Sequence, residues 1–439
     1  MKFLFLLLAT AGFLRAGHVE VRISVKYFGT TDDQAVQTAA QNAVTNANRV
    51  LDRQGRGLRF KLEEVVRLNP SVPLPFRRFY SDPTTWTTVQ PISWRQWWND
   101  NNDPTPSTWM HEPPANLTNR SRTPDGPFNE TIDVGEELAG MWREAICDNK
   151  SAFSYRSSAC NVYLIWPEYS GGVGSFPNPS NCSDNLFYLS NLGDRSLFLH
   201  EWGHWASLLH PFNSKTGGTA NENTLGDDDL TDTPTDAWSI TEPLIPPIFG
   251  GVYLTYHNSV SQALYGVDYP GLNAGQTAQV AVMGKIAQLK WLIGPPNWQP
   301  LDAVRQAEIR LVWQNLLSYH KGAPPEEQWL FTEQQLDKVA DSMAAFSTRT
   351  PTATGRWWFY GGPITDPVAP LGSSRRPYGG FASATQNNAS LQAGDIVLGR
   401  PGTYTLGTTL RLNKPCTIRA TRGANIPGAQ SGTFSVRGN

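Results

Sequence analysis

A chain of 439 residues with a formal net charge of −2 carries no basic footprint for nucleic acid and no polybasic stretch for an anionic membrane surface. Hydrophobic residues at 39% and aromatics at 11% can fill packed cores, and the length leaves room for two domains. Sixteen tryptophans and 33 prolines argue against a helical bundle and for a loop-rich secreted chain.

The chain opens with the pattern of a secretory signal peptide over residues 1–16: Lys2, an apolar run over residues 3–14, and a cleavage site after Ala16. The run is too short to span a bilayer, and no later segment is long enough. Residues 19–28 alternate polar and apolar side chains and predict a strand with one buried face. Thr31-Asp32-Asp33-Gln34 has capping-box spacing, and the helix it opens runs to about Arg53, with Gly55 as its stop. Residues 58–68 return as a second strand. Residues 70–130, rich in proline, asparagine and tryptophan, predict irregular structure. Their Trp94, Trp97 and Trp98 either line a substrate groove or pin a long loop to the body. Residues 136–147 predict a helix and residues 161–166 a short apolar strand. The glycine-rich stretch 171–177 predicts a turn, without the context of a phosphate-binding loop.

Four cysteines are present. Cys147, Cys160 and Cys182 precede the middle of the chain and Cys416 lies far downstream. In an oxidising compartment a bridge forms among the first three, with the pairing left open. Asn-x-Ser/Thr sequons at Asn116, Asn119, Asn129, Asn149, Asn181 and Asn388 would permit glycosylation.

The chemistry concentrates in the next stretch. Asp194 is a good N-cap for a helix that carries His200, Glu201 and His204. Residues four apart share a helix face, so His200 and His204 can present imidazoles to one ion. Glu201 can reach a water bound to that ion. His210 completes a three-nitrogen set if the helix ends and the chain turns back. Three protein ligands with one open position describe a catalytic zinc; a structural zinc is more often closed by four ligands, with cysteine among them. Further on, Asp227, Asp228, Asp229 and Asp232 crowd one segment, and clustered carboxylates suit calcium or a solvated acidic turn; Asp228 and Asp232 are the candidate ligands.

The stretch LHEWGHWASLLHPF, residues 199–212, resembles the long metzincin motif HExxHxxGxxH, and more narrowly the pappalysin-type (cytophagalysin) metalloproteases. Residues 228–234 are similar to that family's D-x-V-x-D-T-P element. The resemblance implies a secreted zinc endopeptidase. His200, His204 and His210 would hold zinc, and Glu201 would activate the water. It also implies that the 161–166 strand forms the edge of the cleft, where a peptide substrate adds as a further strand. Metzincins build a tight turn beneath the metal, usually on methionine. Residues 315–320, followed by 331–336, resemble that turn and its FTxxQ helix start, with Leu317 at the methionine position. The stretch 252–256 is the second candidate. The first choice makes residues 240–310 an insertion and brings Tyr319 towards the zinc as an oxyanion donor or leaves it as a core tyrosine. Two departures stand out: Ser207 replaces the family glycine and Leu317 the methionine. They are also the features that favour the rival reading, a non-catalytic secreted zinc- or glycan-binding protein with a vestigial site.

After a linker at residues 348–355 the texture changes to short strands punctuated by glycine and proline. Residues 394–423 resemble the opening coils of a right-handed parallel β-helix of the pectate-lyase type. Too few coils fit for a lyase groove, so residues 356–439 are expected to be an appended all-β module whose candidate partner is a glycan. The fold expected is α+β: a metzincin-like protease domain, a twisted sheet with an active-site helix, over residues 17–350, followed by that module.

Overall fold

A computed structural model describes residues 19–28, 32–69, 143, 146–164, 172–174, 182–189, 191–211, 228–236, 250–280, 283, 300–318, 324–345, 355–385, 387–392, 395–400, 402–403, 416–420 and 424–425, with short strands between residues 73 and 110. The signal-like segment, Trp94, Trp97, Trp98, Asp227, Tyr319 and the sequons at Asn116, Asn119, Asn129 and Asn181 lie outside the described residues. Two compact units make up the chain. One comprises Val21–Gln54 and Phe60–Thr352; the other comprises Met1–Glu20, Gly55–Arg59 and Ala353–Asn439.

The larger unit is mixed α/β, compatible with the α+β expectation. It is built on five strands: β1 (Val19–Tyr27), β2 (Leu58–Arg67), β3 (Cys160–Leu164), β4 (Gly172–Gly174) and β5 (Leu186–Leu189). Their order is β2-β1-β3-β5-β4. β1, β3 and β5 run parallel, with Val25 beside Val162 and Val162 beside Phe187; β4 closes one edge antiparallel to β5.

Helix α1 (Asp33–Arg53) joins β1 to β2. Its N-cap is Asp32, whose carboxylate accepts from Gln34 N, one residue later than the capping box places it. Val36, Ala40, Ala43, Val44, Ala47, Val50 and Leu51 form its buried stripe, and the Asn48 amide clamps it to the sheet by pairing with both Phe60 N and Phe60 O.

β1 departs from the one-faced strand the alternation predicts. From Ile23 onward both faces are buried, including Ser24 and Lys26. Lys26 donates to Asn161 Oδ1 and Ser24 O, and its ammonium stands 5.5 Å from the Tyr163 ring centroid. Burial pulls its pKa down to about 7, with Glu64 opposing the shift. Alternation reads polarity, and a polar side chain with buried partners breaks the inference from polarity to solvent.

β3 is also placed differently from expectation. It lies between β1 and β5 in the sheet interior, as its buried Val162 and Tyr163 require, and does not form the edge. The edge strand is β4, which comes from the glycine-rich stretch read as a turn. Cys147 and Cys182 form the disulfide, and Cys160 is buried in β3 outside it. Within the expected 136–147 helix, Arg143, Ile146 and Cys147 are described, and all are helical.

The stretch 252–256, the second turn candidate, lies within a helix, α3 (Gly250–Tyr265). α3 packs on α4 (Ala303–Gln314), and Val260, Leu264, Val280, Met283, Ile309 and Trp313 give the expected insertion a helical core of its own.

In the smaller unit, β6 (Trp357–Tyr360), β7 (Ile396–Gly399) and β9 (Thr417–Ala420) form one parallel sheet, and β8 (Gly402–Thr403) pairs in parallel with β10 (Ala424–Asn425). The chain therefore returns in the same direction within each sheet: from Trp357 to Ile396 to Thr417 in one, and from Gly402 to Ala424 in the other. Buried Asp395 ties the start of β7 to β6 by accepting from Arg356 N and Trp358 Nε1. Asn388 is buried and its amide is spent on Ala384 O and Ser390 N, which removes that sequon from the accessible surface; Asn149 is exposed.

Candidate metal centre

The ligand helix α2 (Arg195–Trp205) starts where Asp194 accepts from both Ser196 N and Leu197 N. It is buried almost all round, so it shows no amphipathic stripe. Phe198 stands edge-on to Phe187 at 5.7 Å and to Phe60 at 5.4 Å, and Trp202 edge-on to Phe60 at 4.9 Å. These aromatics fix the helix roll, and with it the direction of His200 and His204.

The helix ends in a Schellman motif. Leu208 N donates to Gly203 O and Ser207 N to His204 O, and Ser207 takes the left-handed conformation at φ 75°. A left-handed backbone costs a residue with a Cβ about 1–2 kcal/mol, which is why glycine is favoured there. Ser207 Oγ makes a 2.7 Å hydrogen bond with Ser342 Oγ of α5 (Glu333–Ala345), and such a bond returns about 0.5–1.5 kcal/mol. The turn reverses the chain and brings His210 back over the helix.

The three imidazoles converge. His200 Nε2 lies 3.0 Å from His210 Nε2 and 3.2 Å from His204 Nε2, and His204 Nε2 lies 2.9 Å from His210 Nε2. The other ring nitrogens decide what faces the centre. His200 Nδ1 is 2.6 Å from Leu316 O and His204 Nδ1 is 2.8 Å from Leu208 O. A carbonyl can only accept, so both Nδ1 atoms carry a proton, and in the neutral imidazoles each Nε2 points a lone pair at the other. Buried lone pairs at this separation repel unless a cation sits between them. A tetrahedral ion with metal–nitrogen bonds of about 2.0–2.1 Å holds its ligands about 3.3 Å apart, close to the spacing here. The donor set can bind a metal ion, and it is the one group of three or more candidate ligands among the described residues.

Leu316 belongs to the turn beneath the site. Asn315 Oδ1 accepts from Leu317 N and Asn315 O from Ser318 N, which closes the turn. Leu317 is fully buried against α2: a Cβ on Gly203 would lie 3.1 Å from its Cδ2. The backbone carbonyl before Leu317 orients His200.

The acidic element acts as a brace. Asp228 accepts from Leu230 N and Gln335 Nε2, and Gln335 Oε1 accepts from Asn315 Nδ2 and Thr332 N. Asp232 Oδ2 accepts from Gln334 N in the first turn of α5. The carboxylates offered to calcium thus serve backbone and amide donors that tie α5 to the turn. Burial pushes the Asp228 carboxyl up to about 6, against the lowering pull of Leu230 N–H and the Gln335 amide.

Sequence reasoning missed the element that covers the site. β4 runs so close over α2 that a Cβ on Gly172 would lie 2.6 Å from Glu201 Cγ, and one on Gly174 would lie 2.3 Å from His204 Cβ and 2.6 Å from Glu201 O. Backbone atoms among these neighbours cannot yield, so glycine is required at both positions. Glu201 is buried beneath this strand, on the helix turn that carries His200 and His204. No protein-family model matches the chain, and no curated protein matches it.

Proposed function

We propose that the chain is a secreted zinc-dependent endopeptidase. The observation that carries the reading is the meeting of three Nε2 atoms at 2.9–3.2 Å beside a buried glutamate under an edge strand. Three imidazole donors favour zinc, which when bound would lower the pKa of water and polarise a carbonyl oxygen.

The chain's own residues do the rest. A peptide adds along the outer edge of β4, where the backbone of Gly172, Val173 and Gly174 holds it over the histidines. Glu201 takes a proton from the attacking water and delivers it to the leaving amine. Leu316 O and Leu208 O keep His200 and His204 in the tautomer that leaves Nε2 bare. Tyr319, which follows directly on the turn, is our candidate for holding the negative charge on the substrate oxygen. The signal-like N-terminus and the Cys147–Cys182 disulfide support an extracellular setting. Parallel return of the chain in two sheets supports reading the smaller unit as stacked β-helix coils, with a glycan as candidate ligand.

The test is hydrolysis of a casein-type substrate by the purified chain. Glu201→Gln should lower turnover by about 10²–10⁴ while the metal is retained. Chelation should abolish activity and added zinc should restore it. Activity that survives both zinc removal and Glu201→Gln sinks the assignment; one zinc per chain with no hydrolysis of any peptide would favour the binding-protein rival.

A further inference from the structure

We propose that the Ser207–Ser342 hydroxyl pair is a positioning device for the third metal ligand, a proposal that rests on the metal reading above. The backbone sets the requirement. The segment between His204 and His210 must reverse within a few residues, and the Schellman geometry does this only with Ser207 at positive φ. The same motif places Leu208 O against His204 Nδ1, so one turn both sets the His204 tautomer and aims His210. A serine at this point is under a conformational penalty that glycine would not feel.

Its side chain is not idle. Ser207 Oγ meets Ser342 Oγ at 2.7 Å, and Ser342 is buried on α5. That helix is itself anchored to the metal site, through Gln335 on Asn315 of the turn and through Asp232 on Gln334 N. The hydroxyl pair therefore fastens the strained turn to the element that already fixes the carbonyl behind His200. In this arrangement a serine can do what glycine does, provided Ser342 is there to hold it.

The test compares the wild type with Ser342→Ala, Ser207→Ala, Ser207→Gly and the double variant Ser207→Gly/Ser342→Ala. Two readouts are used: zinc affinity by competition with a chelating dye, and the visible spectrum of the cobalt-substituted protein, which reports ligand number and symmetry. Ser342→Ala and Ser207→Ala should each weaken zinc binding by about 10- to 100-fold and alter the cobalt spectrum. Ser207→Gly should bind like the wild type, and in that background Ser342→Ala should change neither readout. If Ser342→Ala fails to fold, the Ser207→Ala and Ser207→Gly pair makes the same comparison from the other side. Unchanged affinity and spectrum in both alanine variants would overturn the proposal, as would an equal loss from Ser342→Ala in the Ser207→Gly background. A wild-type chain that takes up neither zinc nor cobalt would sink the metal reading and this proposal with it, a result distinct from tight binding that ignores Ser342.

Discussion

At the scale of single residues, the site depends on which atom each side chain is prevented from using. His200 and His204 could each present either nitrogen to an ion; the carbonyls of Leu316 and Leu208 remove that choice. Spacing in the sequence identified the histidines, because a helix converts four residues into one face. It did not identify the carbonyls, since Leu316 lies far along the chain from His200. Buried charge behaves the same way: Lys26 and Asp228 look like surface residues in a linear reading, and only folding reveals their partners.

Asp228 gives a sign that can be checked. Its folded pKa of about 6 lies above its ordinary value of 3.8, so between those limits the folded chain holds a proton that the unfolded chain releases. Stability therefore falls as pH rises through this window and is flat with respect to this group above it. Urea unfolding from pH 3.5 to 7 should show a steeper decline for the wild type than for Asp228→Asn, by on the order of 2–3 kcal/mol across the window. Parallel profiles would mean that Asp228 is not the buried acid described.

At the scale of elements, β1 and α1 are legible from their own periods and α2 from its Asp194 cap and histidine spacing, all of them local signals. Strand order is not local. The resemblance puts β3 at the edge of the cleft while the fold puts it inside the sheet, and β4 reads as a turn because glycine at alternate positions looks like flexibility until a helix packs against it. Under the proposed function, Gly174→Ala should displace β4 and lower kcat/KM for peptide hydrolysis by at least tenfold, read in steady-state assays; normal kinetics would show that the strand does not need to lie so close. The turn beneath the three histidines is legible only through its resemblance to a family pattern, and its leucine is a volume match for methionine. Leu317→Met should cost less than about 1.5 kcal/mol and Leu317→Ala about 2–5 kcal/mol in denaturant unfolding, because alanine leaves a cavity under α2.

At the scale of the whole molecule, the two units differ in how much their sequence discloses. The larger one carries the candidate metal centre, and its cysteines leave three possible bridges, of which Cys147 and Cys182 form the one present, across 35 residues. A loop of that length implies about 4 kcal/mol of stabilisation in the chain-entropy account, so reduction should lower the unfolding free energy of the larger unit by that order. No change on reduction would place the bridge outside its cooperative core. The smaller unit discloses its strands through alternation, and the parallel pairing that the β-helix resemblance implies is present where Ile396 lies beside Thr417 and Gly402 beside Ala424. Among the described residues no helix is long and apolar enough to cross a membrane.

The most direct test is anomalous scattering at the zinc edge from crystals of the full chain grown with zinc. One peak should appear within about 2.0–2.1 Å of the Nε2 atoms of His200, His204 and His210 together. No peak at saturating zinc, or a peak with His210 turned away from the other two rings, would contradict the account.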